Sequence, residues 1–194
     1  MTGSGQQLSL SPIGFQVVLA LSQTPDGLRL TEIAHIIGSP VSSAQAALRV
    51  LMSNGVVRKE GAETPRYVLS PAHPAGAALV GTAIVIGDPA RSIGVILRAN
   101  PAVAWAAVDA GGFLAGLEPN IQGASLETLE QHLKMIEDAR PGSPVVERMP
   151  MPELERLVKV ALDVRARARE ALTIKGQAPV AARMSPEERG DRAG

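Results

Sequence analysis

Leu30-Thr31-Glu32-Ile33-Ala34-His35-Ile36-Ile37-Gly38-Ser39-Pro40-Val41-Ser42-Ser43-Ala44-Gln45-Ala46-Ala47-Leu48-Arg49-Val50-Leu51 is the stretch on which the fold turns. Apolar residues recur at helical spacing on both sides of Gly38. A short helix from Thr31 buries Ile33, Ala34 and Ile37, and Gly38 stops it. A second helix, from about Val41 to Asn54, turns Ala44, Ala47, Leu48 and Leu51 inward. Asn54-Gly55 ends it.

Upstream, Ser11-Pro12 supplies an N-cap followed by proline at the first helical position. Ile13, Val17, Ala20 and Leu21 then continue at helical spacing, and Pro25-Asp26-Gly27 is a turn. Downstream, Val56-Val57 opens an extended segment and Arg66 to Leu69 forms another. Glu60 to Thr64 reads as the hairpin tip between them. Helix, helix, turn, helix, hairpin is the order of a winged helix-turn-helix, here over residues 11–70.

Leu30-Thr31-Glu32-Ile33-Ala34 resembles the opening of the first motif helix in bacterial regulators of the arsenic-repressor and multiple-antibiotic-resistance type. Ala47-Leu48-Arg49-Val50-Leu51, followed by Asn54-Gly55-Val56-Val57-Arg58, resembles the end of their recognition helix and the entry to the wing. Arg66-Tyr67-Val68-Leu69 resembles the return strand. The resemblance covers about a third of the chain and implies a cytoplasmic transcriptional regulator whose partner is double-stranded DNA.

A helix fits the major groove and reads base edges from its exposed N-terminal face. The positions expected there are Ser42, Ser43, Gln45, Ala46 and Arg49. Gln45 suits adenine, Arg49 suits guanine or a phosphate, and serines at a helix start suit phosphates. Arg58, Lys59 and Arg66 place positive charge on the wing. Residues 11–80 carry five basic and four acidic groups, a net charge of +1. So weak a charge implies two copies on a palindrome, that is, a homodimer. The alternative is a winged helix used for protein contacts, which the alanine-rich recognition helix and near-neutral charge favour. Arg58 and Lys59 would then be a solvated hairpin.

A linker is expected over 71–81, a small α+β domain with a terminal helix over 82–175, and a disordered tail over 176–194. In the second block, Ala83 to Ile86 reads as a short strand and Asp88-Pro89 starts a helix. Ala102 to Val108 and Phe113 to Leu117 form a hairpin around Asp109-Ala110-Gly111-Gly112. A helix from Ser125 to Asp138 buries Leu126, Leu129, Leu133 and Ile136, with His132 on its surface. Pro144 to Met149 is a strand, and a long helix from Pro152 ends at Gly176. Glu155–Lys159 and Asp163–Arg167 are i,i+4 pairs on that helix. Trp105 is expected in the core or an interface. The fold class is therefore α+β: a winged helix-turn-helix, a small α+β domain and a long C-terminal helix.

Tyr67-Val68-Leu69-Ser70-Pro71-Ala72-His73-Pro74 resembles the link to a nucleotidyltransferase-like domain in some prokaryotic proteins. That chemistry needs a Gly-Ser turn and two carboxylates one residue apart to hold Mg²⁺. Neither is present, so the resemblance implies a degenerate domain without activity. Asp109 and Glu147 are the acids that would matter if activity survived.

The composition excludes more than it identifies. With no cysteine, thiolate metal sites, thiol nucleophiles and disulfides are absent. His35, His73 and His132 lie far apart, so no metal cluster is expected, and no catalytic set or cofactor motif emerges. Four aromatics are too few for a base-stacking platform. No apolar run reaches membrane-spanning length. A protein or small-molecule effector acting through the second block is left open.

Overall fold

A computed structural model describes residues 10–70, 73, 75–119, 123–179 and 182. The chain begins with α1 (Pro12–Ser22), α2 (Leu30–Ile37), α3 (Val41–Ser53), β1 (Val57–Glu60) and β2 (Arg66–Leu69). Ser11 caps α1 by accepting the Gly14 N–H at 3.2 Å. Gly38 ends α2 at φ 62° and Gly55 follows α3 at φ 72°, the left-handed backbone that glycine adopts without a Cβ penalty. β1 and β2 pair antiparallel. Leu28 adds a two-way backbone bridge to Tyr67, at 3.0 and 2.8 Å, which ties the turn before α2 to the wing. Ile33, Ile37, Ala44, Leu48 and Leu51 are buried, as the periodicity requires.

The second half contains α4 (Ala75–Ile86), α5 (Pro89–Ala99), β3 (Val103–Asp109), β4 (Gly112–Leu117), α6 (Ala124–Ala139), β5 (Val145–Pro150), α7 (Met151–Val160), α8 (Leu162–Glu170) and β6 (Leu172–Lys175). The sheet order is β5-β4-β3-β6. β3 is antiparallel to β4 and β6, and α6 crosses over to set β5 parallel to β4. Alternate residues split the sheet's faces, with the alternation of β3 shifted by an irregularity between Val103 and Trp105. Val103, Ala106, Phe113 and Ala115 join a core with α1, α5 and α6. Trp105, Ala107 and Leu114 pack with Leu154, Val158 and Ala168 of α7 and α8. The fold is mixed α+β, with the helix-turn-helix first and the sheet after it.

Several expectations need correction. Ala75–Ile86, read as the end of the linker and a strand (Ala83 to Ile86), is the helix α4, packed on α1 and α6. Its sequence is apolar on every side, so no period distinguishes helix from strand. The long terminal helix is divided at Ala161, which takes an extended ψ of 113°. It stops at Glu170 rather than Gly176, and the chain returns as edge strand β6. His132 is buried, not on the surface. In the tail, Ala178 and Ala182 pack on the Trp105 cluster. Residues 71, 72 and 74 of the expected linker, and 180–181 and 183–194 of the expected tail, lie outside the described residues.

Candidate nucleic-acid interface

α3 exposes Ser42, Gln45, Ala46 and Arg49 and leaves Ser43 half-buried. Pro40 precedes the helix and offers no side-chain cap, and the Ser43 N–H donates back to the Pro40 carbonyl at 3.0 Å. Val41 and Val50 are exposed on the same helix, at 46% and 42%. The opposite face holds Ala44, Ala47, Leu48 and Leu51 against α1 and α2.

The wing is less positive than its composition suggests. Arg58 pairs with Glu60 at 2.8 Å, because residues two apart on a strand share a face. Glu60 also lies opposite Arg66 in the ladder. Arg66 is half-buried, and its Nη1 donates to the Gly27 carbonyl at 2.8 Å, pinning the wing to the turn before α2. Among the described residues, Arg49 and Lys59 form no ion pair.

A buried polar network joins the helix-turn-helix to the α+β unit. Asn100 Nδ2 donates to Gln23 Oε1 at 3.0 Å and to the Ser125 carbonyl at 2.8 Å. Asn100 Oδ1 accepts the Ala102 N–H at 2.8 Å. Gln23 Nε2 in turn donates to His132 Nδ1 at 2.5 Å. Burial lowers the His132 pKa and favours the neutral ring that this bond needs. Lys175 Nζ donates to the Asn100 carbonyl at 2.5 Å, and burial lowers its pKa to about 8. Sequence reasoning missed this network. His132 sits three residues after Leu129 and four before Ile136, both core residues, and that position on the apolar stripe was the signal.

Asp109 and Glu147 do not form an open catalytic pair. Arg167 of α8 takes both: its Nε reaches Asp109 Oδ2 at 2.8 Å and its Nη1 reaches Glu147 at 2.8 and 3.0 Å. The Arg167 hydrogen bond holds the Asp109 carboxyl below its usual range. Arg167 therefore clamps the β3–β4 turn and β5 to α8, and not the Asp163 partner expected along its own helix. Among the described residues, no group of three or more potential ligands is arranged for a metal ion, and no helix is long and apolar enough to cross a membrane.

No curated protein matches the chain, and no solved structure does. Residues 13–61 match the family model of the IclR helix-turn-helix domain. The match covers about a quarter of the chain, from α1 to the tip of the hairpin, and includes every candidate position on α3. It names the IclR type, where the motifs resemble the arsenic-repressor and multiple-antibiotic-resistance types. On this ground the N-terminal region is similar to the helix-turn-helix of DNA-binding transcriptional regulators.

Proposed function

We propose that this chain is a cytoplasmic transcriptional regulator that binds operator DNA as a homodimer, with α3 in the major groove. The observation that carries the reading is the outward face of α3, Ser42, Gln45, Ala46 and Arg49, within the region similar to a known DNA-binding domain. Lys59 and Arg58 meet phosphates from the wing, and Ser42 and Ser43 meet them from the helix start. Two copies are needed because one unit carries so little net charge. The uncharged outer side of α4, with Val85 and Ile86 exposed at 51% and 56%, suits the contact between copies. The buried side of the same helix packs on α1.

Fluorescence anisotropy on the duplex upstream of its own gene and on a scrambled duplex, at two salt concentrations, tests the reading. Tight binding to the native duplex alone, weakened by salt, is expected. No binding to either duplex at low salt overturns it. The exposed Val41 and Val50 on α3 favour a second reading, a winged helix docking on a partner protein. A stoichiometric co-purifying protein with no duplex affinity is its mark.

A further inference from the structure

Between the helix-turn-helix and the end of α5 lies a cavity of about 420 Å³. That size suits a small metabolite. Leu28 and Ile36 form one wall, and Ala99 and Pro101 the other.

Arg98 opens onto this cavity. Its Nε is buried without a hydrogen-bond partner, and no described carboxylate pairs with it. Burial, reinforced by like-charged Arg91, pulls its pKa below the ordinary arginine value. An arginine still keeps its charge at neutral pH, and a buried guanidinium nitrogen without an acceptor is costly. Arg66 lines the same cavity, held there by its bond to Gly27.

Two carboxylates limit which anion fits. Glu32 lines the cavity while its Oε2 accepts the Arg29 N–H at 2.7 Å. Asp26 lines it from an exposed position. Together they repel a polyphosphate and offer acceptors to a hydroxyl or amine.

We propose that this cleft binds a small organic monocarboxylate, its carboxylate on Arg98 and Arg66 and its apolar body on Leu28, Ile36, Ala99 and Pro101. The occupant touches both the helix-turn-helix and the α+β unit, and its binding does not require DNA.

Calorimetric titration of the full chain, without DNA, with lactate, benzoate and leucine tests this, with inorganic phosphate as comparison. At least one carboxylate is expected to bind with a Kd of about 1 mM or below and at least tenfold more tightly than phosphate. Arg98→Gln weakens it at least tenfold, whereas Arg91→Gln, outside the cleft, does not. If circular dichroism shows that Arg98→Gln is unfolded, Pro101→Trp at the exposed lip blocks the cavity and gives the same loss. Failure of all three carboxylates to bind, equal affinity for phosphate, or affinity unchanged in the folded variant overturns the proposal. Because DNA is absent, none of these outcomes bears on the operator reading.

Discussion

Asn100 donates its side-chain amide to Gln23 Oε1 at 3.0 Å across 77 positions of sequence, and both residues are almost fully buried. The bond fastens the end of α1 to the turn between α5 and β3. Asn100→Ala leaves Gln23 Oε1, the Ser125 carbonyl and the Ala102 N–H each short of a partner. Each buried group left unsatisfied costs about 1–3 kcal/mol, and the groups belong to one network. Urea unfolding should show a loss of roughly 2–4 kcal/mol. A loss below about 1 kcal/mol would mean that the network is not holding the two units together.

His132 ties the same network to acid. Gln23 Nε2 can only donate, so His132 Nδ1 must carry a lone pair. Burial depresses the folded pKa below the unfolded 6.5. The unfolded chain therefore binds the proton first. Stability is complete above the unfolded pKa and is lost as pH falls through it toward the folded value. The limiting slope is about 1.4 kcal/mol per pH unit. Thermal melts between about pH 7 and pH 5 should show this slope in the wild type, and His132→Gln should remove it. An unchanged slope in the variant sinks the assignment.

Lys175 titrates at the other end of the scale. Its ammonium meets the Asn100 carbonyl, but desolvation outweighs the attraction of Glu118 and brings its pKa from 10.5 to about 8. The folded chain releases its proton before the unfolded chain does. Stability therefore rises with pH between those two values, by up to roughly 3 kcal/mol. Lys175→Met should be more stable than wild type near pH 7 and flat across that window. A wild type without an alkaline gain would show that the ammonium is fully solvated.

The helix-turn-helix was legible because its elements are local. Ile33, Ile37, Leu48 and Leu51 lie on clean helical stripes, and Gly38 and Gly55 mark the ends. α4 was not legible, because Ala75 to Ile86 is apolar all round and its type is decided by packing on α1 and α6. β6 was hidden for a related reason: Leu172 to Lys175 is a short edge whose pairing with β3 depends on residues 64 to 69 positions away. On the candidate interface, sequence named the exposed face of α3 but not the charge state of the wing. Arg58, Lys59 and Arg66 look equivalent in a row of letters. Alternation along β1 gives Arg58 the Glu60 carboxylate, and the packing of the wing on the turn before α2 directs Arg66 to the Gly27 carbonyl.

That inequality makes the sharpest test of the DNA reading. Arg49→Ala should cost about 1–3 kcal/mol on the native duplex and relax base preference, since Arg49 stands exposed on α3. Lys59→Ala should weaken native and scrambled duplexes alike and lower the salt slope by about one. Arg58→Ala should do less than Lys59→Ala, because the Arg58 charge is already shared with Glu60 at 2.8 Å. By the same logic Glu60→Gln releases Arg58 and should tighten binding and steepen the salt dependence. Anisotropy titrations of the four variants over a salt series decide the matter. If Arg58→Ala equals or exceeds Lys59→Ala, or if Glu60→Gln leaves affinity unchanged, the wing does not meet phosphates in the way its ion pairs imply.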